Sequence, residues 1–132
     1  MPPLVTEEVP GNALYEKTLA SYHEGKYKEA IAGFEAFLKQ YPSSELADNA
    51  QFWIGESYMS RKDYDKAIVA FQDVIEKYPD GNKVPNALLK QALAFYEIKD
   101  TISCRAILKR IVKKFPDSSE AKIAEAKLKT IK

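Results

Sequence analysis

An ungapped internal repeat constrains this 132-residue chain more than any other feature. Pro42, Pro79 and Pro116 stand 37 residues apart, and each follows an aromatic residue: Tyr41, Tyr78 or Phe115. The same shift aligns Ala30, Ala67 and Cys104, then Phe34, Phe71 and Leu108, then Phe37, Val74 and Ile111. Further upstream it aligns Asn12, Asn49 and Asn86, each followed by alanine. A period of this length marks supersecondary units that stack because none can bury its apolar face alone.

Within each unit the apolar spacing is helical. Tyr64, Ala67, Ile68, Phe71, Val74, Ile75 and Tyr78 form one continuous stripe, and Tyr27, Ala30, Ile31, Phe34, Phe37, Leu38 and Tyr41 repeat it. Thr101, Cys104, Arg105, Leu108, Ile111, Val112 and Phe115 make a looser third copy. These second helices must end near their prolines, because the residue before a proline avoids the α region. Ser43-Ser44, Asp80-Gly81 and Asp117-Ser118-Ser119 are expected to supply turn and N-cap chemistry for the helices that follow. First helices are expected over about 12–24, 45–61 and 83–98, with breaks at Gly25-Lys26, Arg61-Lys62-Asp63 and Lys99-Asp100. Pro85 suits a helix start. Residues 118–131 read as a capping helix, since lysines keep its outer side wet. The expected organisation is therefore an all-α solenoid: a linker over 1–11, repeats over about 12–43, 44–80 and 81–117, then the cap.

Composition narrows the function classes. Hydrophobic residues at 45% and charged residues at 30% describe a folded chain, not a disordered one. No apolar run reaches membrane-spanning length, so no membrane insertion is expected. A net charge of +1 gives no general attraction to nucleic acid. Cys104 is the single cysteine, which excludes an internal disulfide and reads as a small buried side chain. His23 is the single histidine and fits an ordinary helix C-terminus. There is no phosphate loop, no HExxH and no CxxC, and Asp63-x-Asp65 lacks the rest of a calcium loop. Neither catalysis, a cofactor nor a metal is expected.

Ile54-Gly55-x-x-Tyr58, Asp63-Tyr64-x-x-Ala67, Phe71 and Pro79 resemble the tetratricopeptide signature, in which small residues let paired helices approach. Repeats one and three depart from it at Thr18, Ala92 and Cys104. Asn49-Ala50-x-Phe52-Trp53-Ile54-Gly55-Glu56-x-Tyr58 is similar to a string of the YbgF/CpoB family, as is the long spacing. That resemblance implies a periplasmic scaffold of the Tol–Pal system. Such a protein would bind TolA and coordinate outer-membrane constriction with the peptidoglycan synthesis machinery during cell division. It further implies that residues 1–11 belong to a polar linker and that the full-length protein is a trimer through an upstream coiled coil. Related long-spaced repeats in outer-membrane assembly lipoproteins leave an envelope-assembly adaptor as the alternative.

In a stack of helix pairs the first helices line the concave side. Leu14, Thr18 and Ser21, Ile54, Gly55 and Tyr58, and Leu88, Ala92 and Phe95 are expected to face the core. The remaining face would present Asn12, Tyr15, Leu19 and Tyr22, then Asn49, Phe52, Trp53, Glu56 and Met59, then Asn86, Leu89, Lys90, Leu93 and Tyr96. Aromatics recurring on a face that could simply be polar point to a protein or peptide partner in the groove. The competing reading is that neighbouring helices cover these aromatics and that the asparagines merely start helices. A second competing surface is the basic end, where residues 99–132 hold ten Lys/Arg against four Asp/Glu. Arg105, Lys109, Arg110, Lys113 and Lys114 there could meet anions, although no aromatics alternate with them for base stacking.

Overall fold

A computed structural model describes residues 9–131, so the expectation for residues 1–8 lies outside the described residues. The described chain holds seven α-helices and no strand: α1 Asn12–His23, α2 Tyr27–Gln40, α3 Ala47–Ser60, α4 Tyr64–Lys77, α5 Val84–Glu97, α6 Thr101–Lys114 and α7 Ser119–Thr130. Each helix packs on its sequence neighbours. The first helices also touch along the series α1, α3, α5, α7, whereas α2 and α4, or α4 and α6, make no backbone approach within 8 Å. Closer approach on one side bends the stack, so the first helices line its inner wall.

The helix-to-helix turns show why the breaks fall where they do. Gly25, Lys62 and Lys99 occupy the same repeat position, and all three adopt left-handed φ, at 82°, 63° and 71°. Lys26 N–H donates to Ser21 C=O, Asp63 N–H to Tyr58 C=O and Asp100 N–H to Phe95 C=O. That 6→1 bond closes the terminal carbonyls of α1, α3 and α5 and requires the left-handed residue just before it. A side chain there costs about 1–2 kcal/mol, partly offset by the unfolded-state entropy of glycine. Lys62→Gly and Lys99→Gly are each expected to stabilise the protein by about 0.5–1 kcal/mol in urea denaturation. Gly25→Ala should cost about 1 kcal/mol, a purely conformational loss because a Cβ there meets nothing within 4 Å.

The prolines stop the second helices as their chemistry demands: Tyr41, Tyr78 and Phe115 close α2, α4 and α6 with φ near −130°. The expected turns form at all three junctions, and a side-chain cap at one of them. Ser118 Oγ accepts from Ala121 N–H at 3.0 Å and caps α7. In the two earlier junctions α3 and α5 begin after Leu46 and Lys83, without side-chain caps. An extra turn, closed by Ala47 N–H to Ser44 C=O and Val84 N–H to Gly81 C=O, carries the chain past the would-be caps.

The core runs through all repeats. Phe34, Phe37, Phe71, Val74, Leu88, Leu108 and Ile111 are wholly buried, as is Cys104. Burying each large apolar side chain contributes about 1.5–3 kcal/mol. Gly55 is small for the expected reason: a Cβ there would stand 2.5 Å from the Phe71 ring. Repeat one solves the contact from the other side. Thr18 replaces the glycine, and Gly33 of α2 makes room, since a Cβ on Gly33 would lie 2.6 Å from the Thr18 side chain. Buried amides tie the pairs together: Gln51 Nε2 donates to Ala70 C=O at 3.1 Å and Gln91 Nε2 to Ile68 C=O at 3.0 Å.

Candidate partner-binding face

Three of the residues expected on the inner wall are not on it. Tyr15, Phe52 and Leu89 share one repeat position and are only 5%, 5% and 8% exposed. Tyr15 packs edge-on to Phe34 and Phe37 at 5.7 and 5.8 Å between ring centroids, and Phe52 lies 5.6 Å from Phe71. The reason is geometric. Each first helix packs against at least one other first helix and is backed by second-helix neighbours in the stack, so only part of its circumference stays free. The free stripe follows positions i, i+4 and i+7 from each asparagine. Asn12, Leu19 and Tyr22, then Asn49, Trp53, Glu56 and Met59, then Asn86, Lys90 and Leu93 are partly exposed along it, and Tyr96 is exposed.

Glu16, Ser60 and Glu97 complete the stripe and are exposed. Glu16 aligns with Trp53 and Lys90 under the 37-residue shift, a signal that could have found it. His23 joins the wall as well: its ring sits 5.4 Å from Tyr22 and 6.0 Å from Trp53. Sequence pattern alone does not distinguish this from an ordinary helix end.

The wall is laced across the repeats. Trp53 Nε1–H donates to Tyr15 Oη at 3.0 Å, joining α3 to α1, and the Trp53 and Tyr22 rings lie 4.8 Å apart. Tyr22 Oη reaches Ser60 Oγ at 3.4 Å. Lys90 pairs with Glu56 at 3.5 Å, joining α5 to α3, and Lys127 of α7 lies 5.2 Å over the Tyr96 ring. Lys83 sits 5.3 Å from the Phe52 ring. One polar atom is left over: Asn49 Oδ1 is shielded and has no hydrogen-bond partner among the described residues.

Electrostatics on this wall follow burial. Desolvation raises the Tyr15 hydroxyl pKa, opposed by the Trp53 N–H, and raises that of Tyr22, opposed by Ser60. Desolvation also lifts the Glu56 carboxyl above the usual glutamate range, with Lys90 pulling the other way. The folded protein therefore holds this proton more tightly than the unfolded chain. The Glu56 contribution to stability is full below the ordinary glutamate range and is lost as pH climbs through the raised folded value. Lys90→Met should raise the Glu56 pKa further and deepen that loss, read by carboxyl NMR titration; an unmoved Glu56 would show that the pair has no weight.

The basic end is partly structural. Arg105 donates from Nη2 to Ile131 C=O at 3.2 Å and so holds α7 on α6, while Lys109, Arg110, Lys113 and Lys114 are exposed. Among the described residues no cluster of metal-ligating side chains occurs, and no helix is long and apolar enough to cross a membrane.

Comparison with known proteins matches this architecture. Residues 7–132 match the model of the family YfiO, described as outer membrane lipoprotein. Cell division coordinator CpoB of Pseudomonas putida is 35% identical over 49 residues, which is 37% of this chain but 18% of the relative. The TPR domain of Arabidopsis OM64 superposes with a TM-score of 0.72 at 16% identity, covering 90% of this chain and 93% of that one. The Yersinia enterocolitica type III secretion translocator chaperone SycD gives 0.73 at 18% identity, over 91% and 89%. The first TPR domain of human RPAP3 gives 0.70 at 17%, over 92% and 88%. With its seven-helix stack and its match along almost the whole length, the chain belongs to the YfiO outer membrane lipoprotein family and is a tetratricopeptide-repeat protein of the CpoB/YbgF kind.

Proposed function

We propose that this chain is a protein-interaction scaffold of the cell envelope that holds a partner segment along the inner wall of its first helices. The observation carrying this reading is the strip around Trp53. An indole packed on Tyr22 and His23 lies beside the Glu56–Lys90 pair. Large aromatics supply binding energy, and the charged pair sets register. The protein acts by holding its partner, not by catalysis.

The likeness to CpoB and the Asn49–Tyr58 string support a role in the Tol–Pal system: a periplasmic coordinator of outer-membrane constriction and peptidoglycan synthesis that binds TolA. A second reading, an adaptor in an outer-membrane assembly complex, is favoured by the match of residues 7–132 to the outer membrane lipoprotein family. Calorimetric titration of the chain with the periplasmic part of TolA from the same organism separates the two. Saturable binding supports the Tol–Pal role, and flat heats with a native protein leave the assembly reading in its place.

A further inference from the structure

The first helices are laced together, but the second helices are not. A groove of about 590 Å³ runs between α4 and α6 over α5. Phe95 and Ile107 line it, and Val69 on its rim is 62% exposed. Its two walls carry opposite charge: Asp73 and Glu76 on α4, Arg110 on α6. The 37-residue register makes this a reversal in place, because Asp73 and Glu76 of α4 align with Arg110 and Lys113 of α6. The walls do not neutralise one another. Among the described residues Asp73 pairs only with Lys77 of its own helix, at 4.0 Å, and no carboxylate pairs with Lys109, Arg110 or Lys113.

We infer that this outer face docks a second copy of the chain, α4 of one protomer lying along α6 of its partner about a two-fold axis parallel to the helices. Acidic and basic walls side by side become self-complementary under that symmetry. Because α4 and α6 share the repeat register, Asp73 then comes level with Arg110 of the partner subunit and Glu76 with Lys113 of the partner subunit. The bulky, exposed Val69 meets the small Ala106 of the partner subunit, so apolar contact forms without a clash. Helices of 14 residues are about 21 Å long and about 10 Å wide, so two helices from each copy bury on the order of 800 Å² in total. That lies at the weak end of specific interfaces, and the dissociation constant should be on the order of 10–100 µM. Such a dimer leaves both inner walls facing outward, which converts one partner-binding scaffold into a bivalent one. The outer face and the inner wall are on opposite sides, so failure here leaves the partner-binding reading standing.

Sedimentation velocity on the whole chain from about 5 to about 500 µM tests the inference. The weight-average mass is expected to climb toward that of two chains, and to climb less at high salt. Arg110→Glu with Lys113→Glu, both exposed positions, should weaken association at least about tenfold by setting like charges opposite. Adding Asp73→Lys and Glu76→Lys to that variant exchanges the walls and should restore it. Far-UV circular dichroism checks that each variant is folded. A mass independent of concentration would overturn the inference. Association indifferent to the double reversal, or unrestored by the exchanged walls, would overturn it equally.

Discussion

Phe71→Ala is expected to destabilise the protein by about 3–5 kcal/mol, the largest effect of any single substitution argued from this structure. The Phe71 ring is wholly buried at the centre of the stack, where α3 and α4 form the middle pair. It is held between Gly55, whose absent Cβ would stand 2.5 Å away, and the Phe52 ring at 5.6 Å. Truncation leaves a cavity that rigid neighbouring helices cannot close. A domain of this size has about 5–15 kcal/mol of stability in all, so the loss is a large share. In a repeat stack each unit is coupled to its neighbours, so a lesion in the middle should also uncouple the two ends and lower the urea m-value. The ring's contact with Gly55 can be tested by a double-mutant cycle. Gly55→Ala alone should cost about 1–3 kcal/mol by overpacking, less some gain in helix propensity. In a Phe71→Leu background the penalty should shrink. Additive effects in that cycle would show that the glycine and the ring do not constrain each other.

Trp53→Ala is expected to weaken partner binding by about 30-fold, or about 2 kcal/mol, while leaving the helical content unchanged. Trp53 is half-buried and presents its free face on the inner wall, so its removal costs recognition more than it costs folding. Its neighbour Phe52 is a poor probe for the same purpose. At 5% exposure it is part of the core, and loss of binding in a Phe52→Ala variant would report unfolding. Trp53→Phe keeps an aromatic surface but removes the N–H that holds Tyr15, and should fall between the two. Affinity within about twofold of the parent for Trp53→Ala would place the hot spot elsewhere.

Much of the fold is legible in the residues. The prolines after Tyr41, Tyr78 and Phe115 mark the ends of α2, α4 and α6 because the pre-proline restriction is local. The helix identities follow from a 3.6-residue apolar period, and Gly55 announces a close approach that the structure contains. Less local features were harder to read. Thr18 looks like a tolerated departure until Gly33 is seen opposite it, because compensation across two helices has no sequence spacing of its own. The serines at 43 and 44 look like caps, but an added turn takes the helix start past them.

The binding face divides along the same line. Periodicity within one helix identifies which residues share a side, and the aromatics at Tyr22, Trp53 and Tyr96 were visible that way. It cannot say how much of that side neighbouring helices will cover. Tyr15, Phe52 and Leu89 and the strip bearing Trp53 are neighbours around the same helices, yet the former are sealed and the latter is open. Sequence alone determined the helices, the repeat and its stacking, because backbone restrictions and apolar periods act over a few residues. Only the tertiary structure decided which edge of each first helix remains free, because burial depends on the angle at which the next pair packs.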